Sequence, residues 1–261
     1  MQRTHLIPAV TYFSTVVLAE SVAAFGRQPE GFVMAMSIHV ILMFTLLIHS
    51  ALLSTSDDRL AKFLAVLSLA PLIRILSLGL PFTPFTIIQW LFIISIPLVA
   101  GGITIMYVMG LKPRDVYLRL MSARQGLVQG GVVLSGFSLG AAEYFILVPE
   151  EPWVSTLALV EFLPAVAAIV LASGLAEELI FRGLLLPKSE AILGRLSGLI
   201  FVSLLFAAMH IGFKSVLDLI FVFSVGFYFG FVVQKTRNLF GVIFAHGFAN
   251  VALYLVLPVY L

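Results

Sequence analysis

Residues 85–109 read FTIIQWLFIISIPLVAGGITIMYVM, an unbroken run without a charged side chain. A bilayer core about 30 Å thick is crossed by about 20 apolar residues of helix, so this stretch alone is long enough to span one. Similar runs lie on both sides of it. Nine candidate spans emerge: 6–25, 32–53, 63–80, 85–109, 126–147, 154–182, 197–211, 216–233 and 239–257. Helix breakers separate them: Gly26 with Pro29, Ser54 to Asp58, Pro81 to Pro84, Lys112 to Arg124, Pro149 to Pro152, Pro187 to Gly194, and Thr236 to Asn238. The expected fold is all-α, a polytopic membrane bundle of nine helices, or eight if one segment is short or re-entrant.

Composition agrees. Of 261 residues, 61% are hydrophobic and 11% charged, and the mean hydropathy is +1.12. A soluble domain of this length needs far more charge to cover its surface. The net charge of +2 gives no sign of nucleic-acid binding. The absence of cysteine excludes disulfides, thiol catalysis and thiolate metal ligands. A signal peptide would have a shorter core and a small-residue cleavage site; the run from Leu6 to Phe25 reads instead as a retained helix.

Lys and Arg set the expected orientation. Alternate loops carry Arg3; Arg59 and Lys62; Lys112, Arg114, Arg119 and Arg124; Arg182, Lys188 and Arg195; and Lys235 and Arg237. The opposite loops carry only Arg27 and Lys214, while Arg74 lies inside a span. The positive-inside rule then puts the N-terminus in the cytoplasm and the C-terminus outside, with the cell membrane of a prokaryote as the expected location. The segment Lys112 to Arg124 mixes cations with apolar residues and reads as an amphipathic linker on the inner surface. It is expected to divide an N-terminal membrane region, 1–125, from a second membrane domain, 126–261, that holds most of the candidate chemistry.

The chemistry gathers in the second part. In Ala176-Glu177-Glu178-Leu179-Ile180-Phe181-Arg182-Gly183, two adjacent carboxylates interrupt an apolar run. Each charge costs roughly 2–3 kcal/mol on insertion scales, so something must compensate. Arg182 stands four residues after Glu178, on the same helix face, and can pair with it. Glu177 points about 100° away from that face. A carboxylate in a low-dielectric site suits general acid or base work near neutral pH; the plain alternative is a helix end with solvated charges. His210 follows an almost wholly apolar run and, taken alone, reads as a packed histidine. His246 and Asn250 stand four apart on one face of the last helix, with Gly241 and Gly247 leaving room beside it.

Depth links these groups. At 1.5 Å per residue, Glu177 lies ~15 Å above Pro187, His210 ~20 Å above Ser197, and His246 and Asn250 ~10 and ~17 Å above Leu239. Three helices thus bring a carboxylate, two imidazoles and an amide to one layer. A carboxylate with a histidine can deprotonate water, and a histidine with an amide can hold an oxyanion. No serine is paired with a base by any visible spacing.

These residues resemble the CAAX protease and bacteriocin-processing family of intramembrane proteases. Its signatures E-E-x-x-x-R, F-x-x-x-H and H-x-x-x-N/D are met in order by Glu177, Glu178 and Arg182, by Phe206 and His210, and by His246 and Asn250. The resemblance covers about residues 155–255. It implies a glutamate-type endopeptidase acting on a membrane-associated protein or peptide, with no cofactor and no metal. Glu177 would activate water with help from His210, and His246 with Asn250 would form the oxyanion hole. Glu178 and Arg182 would organise the site, and Phe206 would pack beside His210. Some members cleave a tripeptide from prenylated proteins, but no prenyl-binding signature is visible here.

Two other readings stand beside this one. Two His and a Glu could bind zinc, although the H-E-x-x-H pair is missing and Arg182 would oppose a cation. Glu20, Arg74, Glu143, Glu161 and Asp218 could form a relay in a proton-coupled transporter, or the chain could be a scaffold. Depth favours a structural Glu20–Arg74 pair, while Glu143, Glu161 and Asp218 lie near outer ends where they can reach water. His39 and His49 are expected to be structural.

Overall fold

The computed structural model describes residues 3–79, 85–149 and 151–261. Among these residues the regular structure is entirely helical. Among the described residues nine helices are long and apolar enough to cross a membrane. They are α1 (His5–Phe25), α2 (Glu30–Leu53), α3 (Asp58–Gly79), α4 (Ile87–Val108), α5 (Ala123–Leu147), α6 (Leu159–Leu193), α7 (Arg195–Phe213), α8 (Val216–Thr236) and α9 (Phe240–Tyr260). The protein is an integral, multi-pass membrane bundle. The expected breaker Pro81 to Pro84 lies outside the described residues, as does position 150.

The described chain divides into two compact units. The first takes Met1–Leu80, Gly101–Gly110 and Leu184–Phe231; the second takes Pro81–Ala100, Leu111–Gly183 and Val232–Leu261. In the first unit α1 packs on α2, and α2 on both halves of α3. The core includes Phe63, whose ring lies 5.6 Å from that of Phe201, with Phe13 6.2 Å from Phe201 on another side. The expected Glu20–Arg74 pair forms, with Arg74 Nε donating to Glu20 Oε1 at 2.6 Å. His39 joins it: its Nε2 donates to the same oxygen at 3.0 Å. Glu20 and His39 are fully buried. His49 also has a partner, the Tyr12 hydroxyl, at 2.7 Å from Nδ1.

In the second unit α5 lies directly on α9. A Cβ added to Gly136 would stand 2.3 Å from the Ala245 carbonyl oxygen, and one on Gly140 2.1 Å from that of Ala249. Small residues one turn apart on both helices let the backbones touch, the usual way membrane helices gain packing when water offers no drive. Gly174 on α6 meets α9 equally closely, at the Ile243 carbonyl. Near the other end, Trp153 stacks on Tyr254 at 3.9 Å, over a core of Ala165, Ile169, Val251 and Leu255.

Three features depart from the expected helices. First, α6 does not stop at Pro187 but runs on to Leu193 and ends at Gly194, whose φ is +89°. Pro187 lies where the π-wound stretch Leu179–Leu185 gives way to the closing α-helical segment, Leu186–Leu193. Second, α6 is not α-helical throughout. Val170–Glu177 and Leu179–Leu185 are π-helical, as is Ala252–Val256 in α9. A π turn holds more residues, so the rise between Glu177 and Pro187 is smaller than an α-helix would give, while the later helix end at Leu193 adds to the distance of Glu177 from that end. Third, Asp218 does not reach water: it is fully buried in the first turn of α8. Ser215 Oγ accepts its backbone N–H at 3.1 Å. Glu161, in contrast, is exposed and accepts a hydrogen bond from Ser155 Oγ at 2.8 Å.

Candidate active site

Glu178 and Arg182 both sit on the π-wound part of α6 or its boundary. Both are 0% exposed. Arg182 Nη1 donates to Glu178 Oε1 at 2.7 Å, the pairing expected from their spacing. His246 on α9 donates from Nδ1 to the same oxygen at 2.9 Å. A carboxylate can only accept, so Nδ1 carries the proton and Nε2 keeps its lone pair in the neutral ring. The other oxygen, Glu178 Oε2, is buried with no hydrogen-bond partner among the described residues. Glu178 is therefore held by a guanidinium and an imidazole and shut away from water.

Glu177 is different. It is half-buried where its neighbour is sealed. Its charge lies within electrostatic range of both Arg182 and His246. Asn250 follows His246 by one turn and is also half-buried. The second unit thus brings together Glu177, Glu178, Arg182, His246 and Asn250 from two helices. The π-wound stretch Val170–Glu177 of α6 packs directly on α9. Gly247 permits the approach: a Cβ there would stand 2.7 Å from Val170.

Phe206 and His210 belong to the first unit. His210 follows the end of the α-helical part of α7, before the turn Ile211–Phe213. Its Nδ1 donates to the Phe206 carbonyl at 2.9 Å, again fixing Nε2 as the lone-pair nitrogen. The Phe206 ring packs 5.0 Å away and the Phe213 ring 5.9 Å away. His210 is half-buried. Among the described residues no three His, Cys, Asp or Glu side chains are arranged to hold a metal ion.

One supporting residue was missed by motif reading. Gln129 on α5 is buried, and its Oε1 accepts the backbone N–H of Gly241 at 2.7 Å. It caps the first turn of the helix that carries His246 and Asn250, where backbone donors otherwise lack partners. Its signal in the sequence was an amide inside a span, together with a glycine at the start of another.

No curated protein matches the chain, and no solved structure does. A family model does match, described as Rce1-like, type II CAAX prenyl endopeptidase, over residues 159–252. That stretch contains Glu177, Glu178, Arg182, Phe206, His210, His246 and Asn250, so the segment carrying the whole constellation is Rce1-like and belongs to the CAAX protease and bacteriocin-processing family of membrane proteases.

Proposed function

We propose that the protein hydrolyses a peptide bond of a membrane-associated protein or peptide through a water activated by Glu177. The observation that carries this reading is the contrast between the two adjacent glutamates. Glu178 is sealed by Arg182 and His246, whereas Glu177 is half-buried beside them. In the proposed reaction Glu177 takes a proton from water as the oxygen attacks the carbonyl carbon. Asn250 and the imidazolium form of His246, which adds an Nε2–H, hold the oxyanion, and the proton on Glu177 passes to the departing amine as the C–N bond breaks. No covalent enzyme intermediate forms. His210 assists Glu177, an assignment that rests on its motif and on its Nδ1–H being held by Phe206. The orientation that fits the Lys and Arg distribution puts the N-terminus in the cytoplasm and the C-terminus outside.

The test compares peptides from membrane proteins in cells making the wild type and the Glu177→Gln variant. A substrate appears as a product lost in the variant, and purified wild-type protein then cleaves it. Removing a general base costs about 10²–10⁴ in rate. Glu177→Gln is expected to lose at least that while its unfolding transition stays in place. A purified Glu177→Gln variant that cleaves at the wild-type rate refutes the mechanism. Identical peptide patterns in the two cell lines favour the scaffold reading.

A further inference from the structure

Two segments far apart in sequence are clasped together in the second unit: the strap between α4 and α5, and the turn between α8 and α9. Leu239 N–H donates to the Tyr117 carbonyl at 3.1 Å. Asn238 Nδ2 donates to the Arg119 carbonyl at 2.9 Å, and Arg119 Nη2 to the Thr236 carbonyl at 3.1 Å. Arg237 donates to the Tyr117 hydroxyl and lies over its ring at 5.3 Å. Tyr117 and Arg237 both hold left-handed backbone, with φ of +63° and +52°. Neither is a glycine, so the clasp keeps both in a conformation that side chains disfavour.

The clasp gathers charge of one sign. Lys112, Arg114, Arg119, Arg124, Lys235 and Arg237 are all exposed on it. The one acid of the strap, Asp115, is itself exposed; it accepts the Lys112 backbone N–H at 2.8 Å and lies 3.9 Å from Arg114 Nε, so the rim keeps a net positive charge. Between Arg119 and Arg124, Leu120 is 96% exposed and Met121 40%. These two lie outside every spanning helix, so their exposure is not that of a helix face against lipid tails. Strap and turn both join the ends of spanning helices, the level where headgroups lie. The positive-inside rule accounts for cations in these loops. It does not account for contacts that draw two loops into one rim, nor for a bare leucine at its tip.

We propose that this rim binds anionic lipid headgroups, with the cations on the phosphates and Leu120 seated among the upper acyl chains. A cationic surface around an apolar tip is the pattern of interfacial attachment to acidic membranes. The surface is independent of the cleavage chemistry, and its test measures no cleavage.

The chain has no cysteine, so Met121→Cys takes a single environment-sensitive dye. The labelled full-length protein is placed in nanodiscs of phosphatidylcholine, with and without phosphatidylglycerol. Emission is expected to move to shorter wavelength with phosphatidylglycerol, and the shift to shrink as salt screens the charges. It is expected to vanish when Lys112→Gln, Arg114→Gln and Arg124→Gln are combined. The same emission in both discs overturns the proposal. So does a shift that survives either high salt or the triple substitution. If the triple variant does not fold, the salt titration of the parent decides alone.

Discussion

Each unit contains a buried Glu–Arg–His triad, and the two are wired alike. In the first, Glu20 Oε1 accepts from Arg74 Nε at 2.6 Å and His39 Nε2 at 3.0 Å. In the second, Glu178 Oε1 accepts from Arg182 Nη1 at 2.7 Å and His246 Nδ1 at 2.9 Å. In both, the second carboxylate oxygen is buried and lacks a hydrogen-bond partner among the described residues. The difference lies around them. His39 turns its remaining nitrogen, Nδ1, into a sealed interior where it too has no hydrogen-bond partner among the described residues. Beside the second triad stand Glu177 and Asn250, both half-buried. The triad is thus a way to hold charge inside a membrane helix bundle. What separates a candidate site from a structural pin is one more carboxylate and one amide that are not sealed.

Breaking the triads should show the largest effects. Removing one member of a buried ion pair strands the other and typically costs about 3–5 kcal/mol. Glu20→Ala and Arg182→Ala are each expected to lose about that much, read from equilibrium unfolding in mixed micelles. They should part in activity. The folded fraction of Glu20→Ala should cleave at the wild-type rate, while Arg182→Ala loses cleavage too. Unchanged stability in Arg182→Ala would remove the triad from any organising role. Loss of cleavage by folded Glu20→Ala would make the first triad part of the chemistry.

A smaller effect sharpens the same contrast. Replacing a whole buried ionic cluster by apolar residues of similar volume is often neutral, or stabilising by about 1–4 kcal/mol. The combined variant Glu20→Leu, His39→Leu and Arg74→Leu is expected to unfold no earlier than the wild type and to keep cleavage. The corresponding replacement of Glu178, His246 and Arg182 should fold and be inert. A first-unit variant that folds but is inert would show that its polar character matters beyond holding the helices together.

Much of this contrast was legible in the sequence, and the illegible part has physical causes. The nine spans follow from apolar length, which the bilayer makes nearly a ruler. Glu178 with Arg182 followed from spacing, and Glu20 with Arg74 from depth. His39 could not be assigned, because its partner is on another helix and depth alone does not fix the rotation of α2. The π winding of Val170–Glu177 and Leu179–Leu185 was invisible to a reading that assumes a 3.6-residue period. Pro187 looked like a stop because proline is disfavoured in helix interiors, but here it lies where a π-wound stretch gives way to an α-helical one. Asp218 looked wet because it lies near a helix end, but burial depends on what packs over the end, which the one-dimensional sequence does not record. Gln129 shows the same limit: its partner Gly241 is 112 positions away.

The smallest expected effect comes from a third histidine–carboxylate contact, one that meets water. His5 Nε2 lies 2.7 Å from Asp57 Oδ2, and Asp57 Oδ1 accepts the Leu60 backbone N–H at 3.1 Å as the cap of α3. That backbone N–H, and then His5, hold the Asp57 carboxyl below its ordinary value of 3.8. A depressed carboxyl stabilises the fold above the ordinary carboxylate range and loses that contribution as pH falls through the folded value. Asn caps helices about as well as Asp, so Asp57→Asn removes charge while keeping the cap. The Asp57 side chain is 33% exposed, and an ion pair with that much access to water is worth under about 1 kcal/mol. The gap in stability between wild type and Asp57→Asn should therefore be small at pH 7 and close below about pH 4. A gap as large as that of Glu20→Ala would mean that burial is not what separates this contact from the triads, and a gap that widened with acid would reverse the sign of the Asp57 charge effect.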